Sequence, residues 1–350
     1  MTDILTCIEK LASDDEADRL YAAEDIGYAN QPAGVRPLLA RLPDEPSRAV
    51  REAIFAALLQ IEDDAVIEGA VDLLDSHDSF LRNQAVELLQ AVGSKALPYL
   101  RRAFQEGDRD RRKFVIDVIA RLADPASREL YALALKDADL NVVITAVESV
   151  GNSRQPLFRE QIESLTSPEA HPMLLSACLE ALTQIGNIDS VSAVRSRFGT
   201  IESLPAFLRP SYLKLAGTKG GPRHLPEIVS FAGLQPLDSA VLNAMTSLRN
   251  RYPEISLPSE LAQPLVDMAR RNQGPLAYQA VRLLSGLIHE GDVFEFLTCC
   301  LDHSDKAIRI GAIQAIREAG GKRAEALLSR RLAAESDEEV LQAWGGKSGQ

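Results

Sequence analysis

The chain has 350 residues, with 50 acidic against 38 basic side chains, a net charge of −12, and only 5% aromatic content including a single Trp. No run approaches the roughly 18 consecutive apolar residues of a membrane span, and a strongly acidic balance speaks against nucleic acid and anionic membranes as partners. The excess is uneven. Residues 1–100 hold 19 acids and 8 bases, whereas residues 101–350 hold 31 and 30, so the acidic part is expected to favour a basic protein partner.

The N-terminal segment, Met1 to Lys10, lacks the basic start and cleavage site of a signal peptide, and a cytoplasmic protein is expected. Ile4, Leu5, Ile8 and Leu11 predict an amphipathic helix there. A phrase then begins to recur. Its clearest copy runs from Asp305 to Gly320, and aligning the copies on the position of Arg309 gives anchors at Arg19, Arg51, Arg82, Arg112, Val143, Leu175, Arg209, Val241, Ala277 and Arg309. Successive anchors lie 30 to 36 residues apart. Three residues beyond them stand Ala22, Ile54, Ala85, Val115, Ala146, Cys178, Tyr212, Ala244, Ala280 and Ala312. Seven residues beyond stand Ile26, Leu58, Leu89, Ile119, Val150, Leu182, Ala216, Leu248, Leu284 and Ile316. All twenty are apolar or Tyr. A period in this range signals stacked units, each too small to bury its own apolar face.

Each unit reads as two antiparallel helices. The second, helix B, carries the anchor; the first, helix A, precedes it at 64–74, 95–104, 128–135, 191–198, 260–269 and 293–301, with apolar residues recurring every three or four positions. No stretch alternates with period two, so no strand is expected. Four residues before the anchor lie Asp15, Ser47, Asp78, Asp108, Asp139 and Asp305, each able to cap the opening N–H groups of helix B. The anchor Arg is then expected to reach the Asp of its own or the adjacent unit. Gly93, Gly151, Gly186 and Gly320 are expected to close B helices. Pro210 would be tolerable only if its helix begins there. Pro253, Pro258, Pro264 and Pro275 fill the longest interval, so a pitch change or hinge is expected around residues 199–275. Another helix B should begin near Val340, and residues 345–350 should form a frayed tail.

Asp78 with Leu81, Arg82, Ala85, Leu89 and Gly93, and Asp305 with Ile308, Arg309, Ala312 and Ile316, resemble the HEAT-repeat class, in particular its short variety found in bacterial proteins and phycobilin lyases. The resemblance covers roughly residues 2–344. It implies an all-α, right-handed α-solenoid of about ten helical hairpins in one domain, with a concave face formed by the B helices. It also implies a non-catalytic protein-binding scaffold or adaptor; the alternatives are a bilin lyase or isomerase subunit, or a regulatory subunit of a signalling enzyme.

Catalytic chemistry finds little support. Cys7, Cys178, Cys299 and Cys300 show no CxxC spacing, which argues against zinc and for buried free thiols. The one His-Glu pair, His289-Glu290, cannot build a di-iron site. The loop from Gly217 to His224 lacks the spacing and the preceding strand of a phosphate loop. No metal and no cofactor are expected. The basic run of Arg101, Arg102, Arg109, Arg111, Arg112 and Lys113 is expected to be a solvated loop bonding Asp108 and Asp110. The candidate site lies five residues past the anchor, on the side of helix B facing away from the core. That position reads Glu24, Ala56, Glu87, Asp117, Glu148 and Glu180, then Lys214, Thr246, Arg282 and Gln314. The five acids, Glu24, Glu87, Asp117, Glu148 and Glu180, form a candidate track for a basic or amphipathic segment of another protein.

Overall fold

The computed structural model describes residues 3–199 and 203–345. Among them are 22 α-helices and no strand. The fold is an all-α, right-handed solenoid of repeated helical hairpins. It resolves into two compact units, Met1–Phe158 and Arg159–Gln350.

In the first unit the A helices are α1 Ile4–Lys10, α3 Val35–Arg41, α5 Asp64–Leu73, α7 Leu97–Glu106 and α9 Arg128–Ala134. They alternate with the B helices α2 Glu16–Ala29, α4 Arg48–Gln60, α6 Ser79–Val92, α8 Arg109–Leu122 and α10 Leu140–Asn152. In the second, the A helices are α11 Arg159–Ser164, α13 Ile188–Arg197, α15 Leu225–Ser230, α17 Ala262–Arg271, α19 Val293–Cys300 and α21 Lys322–Leu332. Their B partners are α12 Pro172–Ile185, α14 Arg209–Lys219, α16 Asp238–Arg251, α18 Gly274–Leu283, α20 Lys306–Ala319 and α22 Glu338–Gly345. The last of these is the additional helix B expected near Val340. Gly345 ends it, so that residue is not tail, and 346–350 lie outside the described residues.

The repeat register is the core register. All twenty positions three and seven past the anchors are at most 2% exposed. Within each unit, consecutive B helices pack on one another: α2 on α4, α4 on α6, α6 on α8 and α8 on α10 in the first, and α12 through α22 in the same fashion in the second. Small residues set how closely they approach. A Cβ on Gly27 would lie 2.8 Å from Ala57 Cα, and one on Gly217 would lie 2.5 Å from Ala244 Cα, so α2 meets α4 and α14 meets α16 nearly backbone to backbone. Gly217 is therefore a packing residue of α14, and the suspected loop reduces to Gly220–His224. There the buried His224 accepts the Gly221 N–H through Nδ1 at 3.0 Å.

All six expected caps form. The Asp15, Asp78, Asp108, Asp139 and Asp305 carboxylates and the Ser47 hydroxyl each accept a backbone N–H from the first turn of their B helix. The anchor arginines meet the expectation in part, since Arg51, Arg112 and Arg309 each reach an Asp of the adjacent hairpin. Each reaches back to carbonyls of its own A–B loop, as Arg19 does to Ser13 and Asp14 and Arg309 to His303 and Ser304. Where one also meets a carboxylate, that carboxylate belongs to the next hairpin: Arg19 to Glu45, Arg51 to Asp78, Arg112 to Asp137 and Arg309 to Glu335. Asp78 is itself a cap, and Arg309 also meets Asp337, the cap of α22, at 3.8 Å. Glu45, Asp137 and Glu335 stand two residues before a cap, where the chain is still in the loop and the fork-shaped guanidinium can lie flat across it.

Other expectations are corrected by packing. On α1 the buried face is Ile4, Cys7, Ile8 and Leu11, while Leu5 is exposed, because the spacing of four, seven, eight and eleven closes one helical stripe. Gly93 and Gly320 end their helices at φ 71°, a backbone that L side chains resist. Gly186 closes α12 with extended backbone, and Gly151 instead sits inside α10. Helix α14 does begin beside Pro210. Three cysteines are buried, but Cys299 is exposed. The basic run is largely spoken for: Arg111 reaches Asp72 and Asp75, and Arg112 reaches Asp137, so it staples hairpins together, while Arg109 alone pairs with Asp110.

Candidate partner-binding face

The outward face of the B helices in the first unit follows directly from the core register. Positions three, four and seven past the anchor turn inward, so position five turns out. Glu24 on α2, Glu87 on α6, Asp117 on α8 and Glu148 on α10 are all exposed there, with Ala56 on α4 filling the gap. Their environments differ. Glu87 accepts a hydrogen bond from Gln84 Nε2 at 2.9 Å. Burial of its surroundings pushes the Asp117 carboxyl upward, opposed by Lys113 and Arg121 one turn away on either side. None of these four acids forms an ion pair among the described residues. Glu180, on α12 in the second unit, is held by Lys214 on α14 at 2.7 and 2.9 Å.

Stacked B helices lie about 8–10 Å apart, close to the Debye length of about 8 Å at physiological salt. An unpaired row at that spacing gives folding nothing and leaves a negative surface. This face also has apolar members, which fall outside the core register of the repeat. Tyr28 is 78% exposed, Tyr21 63% and Leu59 52%. Tyr21, Glu24 and Tyr28 share one stripe of α2 at helical spacing, and Leu59 lies one position outside the core register of α4. Their signal in the sequence was a large apolar side chain at a register position with no core to enter. Beside Leu59, a groove of about 570 Å³ opens between the ends of α4 and α6 and the start of α5. Ile61, Ile67 and Val92 line it together with Glu62, Asp63, Asp64 and one cation, Lys95.

No group of three or more His, Cys, Asp or Glu side chains that could hold a metal ion occurs among the described residues. No described helix is long and apolar enough to cross a membrane.

Residues 4–90 match the family model for HEAT repeats. The fold is that of a HEAT-repeat α-solenoid. Solved structures extend the likeness along the chain. Importin beta, crystallised in a polyethylene glycol condition, matches with a TM-score of 0.52 and 10% identity over 98% of this chain and 59% of its own. Kap121p bound to Ste12p matches at 0.53 and 13% identity, over 97% of this chain and 44% of its own. At that identity the likeness concerns the HEAT fold alone, and this chain spans about half the length of those proteins. No curated protein sequence matches the chain.

Proposed function

We propose that this HEAT solenoid is a non-catalytic protein-binding scaffold or adaptor, and that the outward B-helix face of its first unit receives a basic, amphipathic segment of a partner protein. The observation carrying the reading is that Glu24, Glu87, Asp117 and Glu148 are exposed and unpaired on the same face as Tyr21, Tyr28 and Leu59. Acids that form no ion pair within the chain are available to Lys and Arg, and the tyrosines offer apolar area and ring faces for cations. The groove beside Leu59 would take aliphatic side chains of the same segment. A net charge of −11 over residues 1–100 would steer a basic partner towards it. Glu180, already neutralised by Lys214, contributes little to this face. Kap121p is itself seen with a bound protein, which agrees with the use of such a fold as a docking surface. A pitch change or hinge around residues 199–275 belongs to the same proposal, on the strength of the prolines there.

The test is capture of basic, amphipathic peptides by the immobilised chain at low and then moderate salt. Retention should fall steeply as salt rises, and Tyr28→Ala should weaken it, as removal of an aromatic anchor does. Retention that is indifferent to salt and to Tyr28→Ala would contradict the reading.

A further inference from the structure

At the position where the first unit presents acids, the second presents Thr246 on α16, Arg282 on α18 and Gln314 on α20. A pocket of about 400 Å³ is lined by Thr246 and Arg282 together with Arg249, Tyr278, Gln279 and Glu318. Two guanidiniums converge on one carboxylate there: Arg249 Nη2 donates to Glu318 Oε1 at 2.8 Å, and Arg282 Nη2 lies 3.2 Å from Glu318 Oε2. The trio therefore keeps a net positive charge. Three lining residues each leave a buried polar atom without a hydrogen-bond partner, namely Thr246 Oγ1, Gln279 Oε1 and Arg282 Nη1. A buried unpaired polar group costs about 1–3 kcal/mol, so three in one pocket mark a place built for more contacts than the chain itself supplies.

We infer that this pocket binds an oxyanion, the carboxylate or phosphate of an acidic side chain on a protein partner. Glu318 shows the geometry from within, since its two oxygens already bridge the two forks as an incoming anion's would. It is also a weak occupant. It sits in the last turn of α20, where the helix dipole disfavours an anion, and its side chain is 44% exposed. Arg249 is steadied from behind by Ser285 Oγ at 3.1 Å, and Tyr278 is fixed by its hydroxyl donating to Gln314 Oε1 at 2.9 Å, so the wall is organised before a ligand arrives. An anion that shares or displaces Glu318 can take up the free Arg282 donor and the Thr246 hydroxyl, while a backbone N–H of the partner can donate to Gln279.

The inference rests on the scaffold reading only for the class of partner. It is tested with fluorescent peptides identical except for a central glutamate, phosphoserine or glutamine, titrated by anisotropy against the full chain. The glutamate or the phosphoserine peptide should bind at least about ten-fold more tightly than the glutamine one, the scale of a lost charge-assisted contact; which of the two leads identifies the anion. Arg282→Gln should abolish that preference, and Arg249→Gln serves if the first variant melts early. Glu318→Gln should act in the opposite direction and tighten binding, because it removes the internal competitor. The same variants leave capture of basic peptides by the first unit unchanged, so failure here and failure of the scaffold reading are distinguishable. Equal affinities for all three peptides, or looser binding on Glu318→Gln, would overturn the proposal.

Discussion

Glu45 is the residue whose chemistry is most constrained. It has no accessible surface, and it accepts from Arg19 Nε and Nη2 at 2.8 and 3.0 Å, from Arg41 Nε at 2.8 Å and from the Ser47 N–H at 2.9 Å. Burial alone would raise its pKa, but the Arg19, Ser47 and Arg41 donors outweigh that and bring it down to about 2 from 4.5. A carboxylate with a depressed folded pKa contributes stability that is complete above its unfolded value and is lost as pH falls towards the folded one. The contribution is about 3 kcal/mol and should vanish between about pH 5 and pH 2. In Glu45→Gln, denaturant unfolding at neutral pH should show a loss of that size, because two guanidiniums are left facing a neutral amide. The dependence of stability on pH across that window should flatten in parallel. An unchanged acid profile would show that the cluster is electrostatically neutral for folding. The sequence made the anchor Arg legible but not this partner, because Glu45 lies in a loop where no helical period reports on which side chains meet.

At the scale of the element, the helix pairs were readable because burial repeats with the helical period. The twenty core positions needed no tertiary information. Boundaries were less legible on the A helices. The apolar period puts Lys95 and Glu260 inside helices, yet both fall in short 3₁₀ turns, Gly93–Ala96 and Ser259–Leu261, that lead into α7 and α17. A 3₁₀ turn preserves most of the apolar spacing, so periodicity cannot separate it from the first α turn. The acidic row was legible for the same reason as the core, being its complement, whereas Tyr21, Tyr28 and Leu59 were not, since a pattern search assigns large apolar residues inward. Because each hairpin contacts its neighbours, damage should spread locally. Ala146 is fully buried in the middle of α10, and Ala146→Pro should cost about 3 kcal/mol or more there. Hydrogen exchange should then show α8–α10 losing protection first while α16–α20 keep theirs. Uniform loss along the chain would indicate one indivisible core.

For the whole molecule, two surfaces give one account: an outward row of acids without ion pairs on the first unit, and on the second a pocket in which two guanidiniums share one carboxylate. The central claim is that the first face captures a basic segment through its charges. Its most direct measurement is a charge swap by isothermal titration. Glu87 and Glu148 suit it because neither has an ion pair to lose, whereas a lysine at position 117 would stand between Lys113 and Arg121. Exposed charges contribute little to stability, so Glu87→Lys with Glu148→Lys should melt like the parent. That variant should bind a basic, amphipathic peptide at least about ten-fold more weakly, a difference of about 1.4 kcal/mol, and should bind the same peptide with its lysines changed to glutamates more tightly than the parent does. Glu68→Lys, on helix α5, should change neither affinity. If the doubly reversed protein binds the basic peptide as the parent does, the row is only a solvated helix face and the account of the first unit is wrong.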